Sequence, residues 1–435
     1  MKAKIRLLGN LLVSETARNT YAVFIGNAVS AVLAFIFTVT LVRRLTLSDF
    51  GYFSALLSFM LLLTELSDIG IGQSLSSFLP RLEKTVSALH SFLKASFVIQ
   101  LAISSVVSFT IIIFSLTVSR LLFHTDKFAG LVILTAIGIY ATVLSNFVNN
   151  SLSARKKFLK VAFLTVFGAF LRLALLIVII LFSVVTLNNS VLVQSLSLVI
   201  LMLAALSVHK FSFLKSPLIK GDIRNLIFFA GFLGLARSFT AIAFRLDVLM
   251  LVALKDATEA GIYSTASRVI SIYPLLAGSF MMVIAPKIAV LKGNRELIDF
   301  SKRVLFATIL LVASSIFMII IARPFMLTLF GDKVIPAVTV FRLLLIAMIF
   351  FVASIPPVSI AVYYLRKPYI LTVNSVLQLI IVVIGNLILI PVLGRHGPAV
   401  SLIIAYGISL LLTTVMTVYH FRLNNPVRLK PLLKK

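Results

Sequence analysis

Apolar residues run along most of this chain for twenty or more positions before a charge interrupts them. The runs lack the two-residue alternation of a half-buried strand. A helix crossing the hydrocarbon core of a bilayer needs about 20 apolar residues, each rising about 1.5 Å. Twelve runs reach that length: residues 19–42, 50–72, 92–118, 128–151, 158–182, 190–208, 225–252, 262–286, 304–322, 336–361, 368–391 and 398–420. Each is expected to be a helix, because a lone strand in lipid leaves its backbone groups unpaired and no ten-residue alternating segments mark a barrel. The predicted fold class is therefore all-α, a polytopic membrane protein with about 12 transmembrane helices. The first run follows a basic start but is longer than the apolar core of a signal peptide, so it reads as an uncleaved span.

Composition strengthens this picture. Of 435 residues, 60% are apolar and 12% charged, against about a quarter charged in ordinary globular proteins, which excludes a soluble fold. Forty Lys and Arg against 13 Asp and Glu leave a net charge of +27. In a soluble protein that balance would suggest nucleic acid; here it follows the topology, and no nucleic-acid partner is expected. Alternate segments, counted from the N-terminus and with Lys94 and Lys160 at the run edges included, hold 27 of the 40 Lys and Arg, the other loops hold 8, and Arg172, Arg237, Arg245, Arg268 and Arg342 fall inside runs. Positive loops stay on the cytoplasmic side, so both termini are expected in the cytoplasm and the chain in the cell membrane. The same rule accounts for the cluster Arg155, Lys156, Lys157, Lys160 and the tail from Arg422 to Lys435, with contact to anionic membrane lipids as a second use. Cysteine is absent, which removes disulfides, thiolate metal sites and thiol nucleophiles. His90, His124, His209, His396 and His420 share no metal-ligand spacing.

A shift of about 210 residues lays Asp49-Phe50-Gly51-Tyr52-Phe53-Ser54 over Glu259-Ala260-Gly261-Ile262-Tyr263-Ser264. Pro80-Arg81-Leu82 and Pro286-Lys287-Ile288 follow in parallel. Six spans separate each pair, and an even number returns the chain to the same side, so the halves are expected to be parallel repeats about an axis along the membrane normal. The expected organisation is an N-terminal six-helix bundle (1–208), a basic cytoplasmic linker (209–224), a C-terminal six-helix bundle (225–421) and a basic tail (422–435). A cavity is expected between the bundles.

Charges inside a hydrocarbon span cost roughly 2.5–3.5 kcal/mol each on insertion scales and mark functional candidates. Glu65 and Asp68 stand three apart on one face of the second run. As a pair they would share a proton or hold Na⁺; the alternative is an ion pair with a neighbouring helix, through Arg172. Run seven carries Arg237, Arg245 and Asp247, and run eight carries Arg268. Arginine keeps its charge and presents a planar fork of donors that matches phosphate bidentately, so Arg172, Arg237, Arg245 and Arg268 are the expected lining of an anion-binding cavity. Arg245 and Asp247 would otherwise snorkel or bond a neighbouring helix. Pro274, Pro356 and Pro357 are the expected hinges, and Gly385-Asn386 before Pro391 is a further place for a bend. No P-loop and no convergent Ser, His and Asp set is present, so neither an enzyme nor a cofactor is expected.

Several segments resemble the polysaccharide-export flippases of the multidrug, oligosaccharidyl-lipid and polysaccharide (MOP) exporter superfamily, the Wzx or RfbX type. They are Leu41-Val42-Arg43-Arg44-Leu45 before Asp49-Phe50-Gly51-Tyr52-Phe53; Asp68-Ile69-Gly70-Ile71-Gly72 before Phe78-Leu79-Pro80-Arg81; Leu246-Asp247-Val248-Leu249; Ala260-Gly261-Ile262-Tyr263; Pro286-Lys287-Ile288; Leu329-Phe330-Gly331; and the stretch from Pro391 to Ala399. The resemblance implies two six-helix bundles in a V and alternating access. It also implies movement of polyprenyl-diphosphate-linked oligosaccharide, an O-antigen, capsule or other exopolysaccharide unit, from the inner to the outer leaflet. Asp68 and Asp247 fall where that pattern commonly has Asp. H⁺ or Na⁺ is the implied coupling ion, and other glycan-assembly proteins are the implied partners. The peptidoglycan-precursor flippases of the superfamily usually have two more spans than the twelve read here. The alternative is a cation- or proton-coupled drug antiporter of the same superfamily (MATE type).

Overall fold

The computed structural model describes residues 15–82, 85–209, 211–217, 242, 245–289, 291, 294–367 and 369–424. These residues form helices, with no strand among them. Nine segments among them are long and apolar enough to cross a membrane, which makes the chain a multi-pass membrane protein. The chain divides into two compact units, Met1–Ala241 and Ile242–Lys435.

The first unit contains α1 (Glu15–Arg44), α2 (Leu47–Asp68), α3 (Ile71–Leu82), α4 (Val86–Ile113), α5 (Ser115–Phe123), α6 (Ala129–Ala154), α7 (Phe158–Phe182) and α8 (Leu187–Val208). A 3₁₀ turn, Phe211–Lys215, follows. Helix α6 packs against α2, α3, α4 and α8, while α1 lies along α7. Leu75, Leu79, Leu93, Phe147, Leu152 and Phe213 belong to one buried apolar cluster. Phe163, Phe170, Leu181 and Phe182 instead stand exposed along α7, the expected aspect of a lipid-facing side. Three buried hydroxyls in this unit turn back onto their own helix: Ser96, Thr135 and Ser145 each donate to the carbonyl four residues earlier, at 2.8 Å. A hydroxyl in an apolar interior is thereby satisfied without water.

The two aligned motifs around Asp49 and Glu259 share a local geometry. Thr46 caps α2, its Oγ1 accepting the Asp49 N–H at 3.0 Å and donating to Asp49 Oδ2 at 2.8 Å. In the second unit Asp256 caps α9 (Ala257–Ile270), Oδ1 accepting the Glu259 N–H at 2.9 Å. Both motifs are helix starts in which a short polar side chain satisfies an orphan amide three residues on.

Run 50–72 ends sooner than expected. Ile69 and Gly70 take left-handed backbone angles, φ 42° and 77°, and α2 stops at Asp68 while α3 begins at Ile71. Hydropathy continues across the break, so composition does not reveal it. Beyond α8, the start of the expected linker is packed down. Lys94 Nζ donates to the Ser216 carbonyl at 2.7 Å, and buried Phe213 meets the rings of Phe97, Phe147 and His209. His209 Nε2 lies 3.0 Å from Ser151 Oγ. Residues 218–224 of that linker, most of run 225–252 and the tail beyond Asn424 lie outside the described residues.

The second unit contains a helical stretch at 245–254, then α9, α10 (Ile272–Ala289), α11 (Asn294–Ile320), α12 (Ala322–Phe330), α13 (Ala337–Ala353), α14 (Ile355–Ser359), a π-turn (Ile360–Tyr364), α15 (Tyr369–Leu393) and α16 (Gly397–Asn424). Helix α16 packs on α13 and α15, and α13 on α9 and α11. The expected single run 262–286 is two helices, broken at Ser271. Pro274 explains the position: it lacks the N–H that would bond the carbonyl four residues back, and its ring crowds that turn. Pro356 and Pro357 likewise follow a break at Ser354, and the π-turn comes next. At Gly385-Asn386 the expected bend is not a break. Helix α15 continues through both residues and through Pro391.

At one end of this unit Glu259 joins α9 to the turn between α15 and α16. Its Oε2 accepts the Arg395 backbone N–H at 2.6 Å, and its Oε1 accepts from Arg395 Nη1 at 3.0 Å. The pair is about a quarter exposed, 29% for Arg395 and 23% for Glu259. Glu259→Ala is therefore expected to cost about 1 kcal/mol after solvent screening, seen as a lower denaturation midpoint in detergent.

Candidate functional site

The charges inside the apolar runs separate by environment. Arg172 lies midway along α7. Its Nη1 donates to Gln194 Oε1 of α8 at 3.3 Å, and its Cζ sits 4.7 Å from the centre of the Phe37 ring of α1. Nε is buried and without a hydrogen-bond partner. Among the described residues Arg172 meets no carboxylate, so the expected alternative of an ion pair with Glu65 or Asp68 is corrected. The ring face and the amide oxygen carry partial negative charge and steady the guanidinium without neutralising it. Gln194 also lines a small recess, about 10 Å³ in volume, with Phe53, Leu56, Met60, Thr135 and Ser195.

Asp68 is the last residue of α2, and its Oδ1 accepts the Gly72 N–H at 3.3 Å in the first turn of α3. A carboxylate there suits the partial positive charge of a helix start. Glu65, one turn earlier, is half-buried. Among the described residues no group of three or more His, Asp or Glu is placed to hold a metal ion.

In the second unit Arg245 opens the stretch 245–254 and Arg268 lies in the last turn of α9, both half-buried. Arg237 lies outside the described residues. Arg342 is exposed, its Nε donating to the Ile319 carbonyl at 3.3 Å.

Asp247 is 6% exposed. Tyr263 Oη of α9 donates to its Oδ2 at 2.6 Å, and Asn386 Nδ2 of α15 donates to its Oδ1 at 2.8 Å. No described Lys or Arg pairs with it. Sequence reasoning singles out Asp247 but misses Tyr263 and Asn386 as its partners, as it misses Gln194 for Arg172. The signal that could have found the amides is the one that found the charges, a polar residue standing alone in an apolar run.

Outside these runs Arg120 pairs with Asp126, Arg120 Nη2 donating to Asp126 Oδ2 at 2.9 Å. The hydrogen bond from Arg120 holds the Asp126 carboxyl below its ordinary range. A lowered folded-state value contributes stability above the unfolded value and loses it as pH falls through the folded one. Both side chains are more than half exposed, so water screens the pair. Asp126→Asn is expected to leave the denaturation midpoint at neutral pH unchanged within error.

Comparisons with known proteins agree with this architecture. The polysaccharide biosynthesis protein family model matches residues 16–292. Among solved structures, the lipid II flippase MurJ in an inward closed conformation superposes with a TM-score of 0.72 at 17% identity, covering 92% of this chain and 88% of that chain. An inward-facing multidrug resistance MATE family transporter of the MOP superfamily gives 0.68 at 14% identity, covering 92% and 99%. A MOP superfamily transporter from Pyrococcus furiosus, described as having a binding pocket of reverse polarity, gives 0.56 at 12% identity, covering 93% and 94%. A search of curated protein sequences gave no match. The fold is that of the MOP superfamily.

Proposed function

We propose, from the premise that this chain belongs to the polysaccharide biosynthesis protein family, that it is a flippase of the cell membrane. Its proposed cargo is polyprenyl-diphosphate-linked oligosaccharide, carried from the inner to the outer leaflet by alternating access. The protein performs no covalent chemistry in this reading. The diphosphate is the difficult part of the cargo, because its charge must cross a medium of low dielectric. Arg172, Arg237, Arg245 and Arg268 attract it; Glu65, Asp68 and Asp247 serve as structural or ion-coupling carboxylates; Pro274, Pro356 and Pro357 act as hinges.

The observation that carries this reading is Arg172. It is a guanidinium within a span, has no carboxylate partner among the described residues, and keeps a buried donor unused. Structural arginines at this depth pair or bond carbonyls; one left with donors to spare suits a transient anion. The test is fluorescence-quench flipping of a polyprenyl-diphosphate-sugar in reconstituted vesicles, with a polyprenyl-linked neutral sugar for comparison. Flipping of the diphosphate substrate alone supports the proposal, and equal flipping of both defeats it.

A drug antiporter remains the second reading, favoured by the likeness to the MATE fold and by buried Asp247. It requires extrusion of lipophilic cations by an efflux-deficient host expressing this chain. Loss of that resistance in Asp247→Asn, with no flipping in vesicles, would favour it over the first.

A further inference from the structure

Helices α15 and α16 run antiparallel, and their contact is built in steps of one turn. Gly385 meets Ser401, whose Oγ lies 2.7 Å from where a Cβ would stand, and further along Gln378 Nε2 donates to Ser409 Oγ at 2.8 Å. Near the far end Tyr369 Oη lies 2.6 Å from His420 Nε2. Residues four apart share a helix face, so the step beyond Gln378 and Ser409 sets Asn374 opposite Thr413, bracketed by two observed contacts. The step on the other side is Val382 and Ala405, both buried. That apolar layer separates Asn374 and Thr413 from Asn386 and Asp247.

Asn374 is 5% exposed and Thr413 1%. Asn374 Oδ1 and Thr413 Oγ1 have no hydrogen-bond partner among the described residues. Each orphaned oxygen carries the desolvation penalty of a buried polar group. An amide oxygen only accepts, a hydroxyl donates and accepts, and water does both. The neighbouring layers, Gln378 with Ser409 and Ile370 with Thr417, add no charged side chain, so an ion finds no counter-charge here. Water fits.

Thr413 also stands where three elements meet. One turn back Ser409 faces α15, and one turn on Thr417 Oγ1 lies 3.1 Å from the Pro357 carbonyl of α14 and 2.7 Å from the Thr413 carbonyl. Helix α14 is a single short turn with two prolines that lack an N–H, and it passes straight into the π-turn. Its own hydrogen bonds hold it weakly.

We propose that an ordered water bridges Asn374 and Thr413, and that this hydrated junction keeps α14 and the π-turn loosely held against α16. Thr413 Oγ1 donates to the water oxygen, and the water donates to Asn374 Oδ1. Two protein partners meet the minimum for a buried water. A bridging water follows its partners through small displacements at little cost. Helix α14 therefore shifts against α16 without leaving either side chain unpaired, which marks this corner for local opening.

The test uses the full-length protein in lipid nanodiscs and needs no cargo. Under millisecond X-ray radiolysis a bound water oxidises side chains that bulk solvent does not reach. Ile370, 1% exposed and one turn from Asn374, is expected to be oxidised in the wild type and spared in the Asn374→Leu, Thr413→Val double variant. That variant replaces both polar groups by apolar ones of similar shape, so its melting temperature is expected to be no lower than that of the wild type. Hydrogen exchange at residues 358–364 is expected to slow in it. Thr413→Ser keeps the hydroxyl and the oxidation, while Thr413→Val alone loses the oxidation, so the result stands if the double variant does not fold. An Ile370 untouched in the wild type, or oxidised equally in Thr413→Val, overturns the water. Unchanged exchange at 358–364 in the folded apolar variants overturns its loosening role. Each result is independent of whether lipid-linked oligosaccharide is flipped.

Discussion

Vesicles carrying the Arg172→Gln, Arg268→Gln double variant are expected to lose nearly all flipping of a polyprenyl-diphosphate-linked sugar while the protein remains folded. A charge-assisted hydrogen bond contributes about 1.5–3 kcal/mol, and removing two such bonds from the crossing state corresponds to roughly 10²- to 10⁴-fold in rate. Arg172 lies in α7 of the first unit and Arg268 in α9 of the second, so the single variants also separate the contributions of the two units. Glutamine retains length and hydrogen bonding, and Arg172→Gln still reaches toward Gln194, so packing is conserved while charge is removed. Arg172→Lys is the informative companion. It restores the charge but not the fork, and partial recovery would show that bidentate contact with phosphate matters. Wild-type flipping in the double variant, with matched protein content and an unchanged melting temperature, would remove the arginines from the mechanism.

The largest effect on stability is expected at Gly397. A Cβ there would lie 2.8 Å from the backbone N of Ile390 and from the backbone carbon of Leu389, and 2.9 Å from the Leu389 oxygen. These atoms belong to the last turns of α15 and cannot step aside as a flexible side chain would. Gly397→Ala is therefore expected to cost about 3 kcal/mol, the upper range for overpacking, and to prevent recovery of monodisperse protein at raised temperature. Gly407, further along α16, has nothing within 4 Å of where a Cβ would stand. Alanine there removes only the helix-interior penalty of glycine, so Gly407→Ala is expected to stabilise by about 0.5–1 kcal/mol. Thermal unfolding in one detergent measures both, and a Gly397→Ala protein as stable as Gly407→Ala would contradict the packing described for the turn between α15 and α16.

The membrane spans were legible because their signal is local. Twenty apolar residues suffice to identify a helix in lipid, and the positions of α1, α4, α6, α7 and α8 follow from run length. The repeat of Asp49-Phe50-Gly51 in Glu259-Ala260-Gly261 was also legible, and the capping of α2 by Thr46 and of α9 by Asp256 gives the two motifs a shared local geometry. Breaks were harder to place. A proline disturbs the turn before it, so the interruption expected at Pro274 falls at Ser271. The Ile69-Gly70 reversal carries no mark in hydropathy, since isoleucine rarely takes a positive φ.

By itself, then, the sequence determined that this chain is helical and lives in lipid, which apolar runs carry charges, and which short motif recurs at the starts of α2 and α9. These properties depend on composition and on neighbours within a few residues. Only the tertiary structure decided what each buried charge meets. Asn386 reaches Asp247 across 139 positions and Gln194 reaches Arg172 across 22, and no rule of spacing along one helix links such residues. In an apolar interior each polar group must find whatever partner packing brings to it. Packing placed two donors on the carboxylate of Asp247 and left a donor of Arg172 unused.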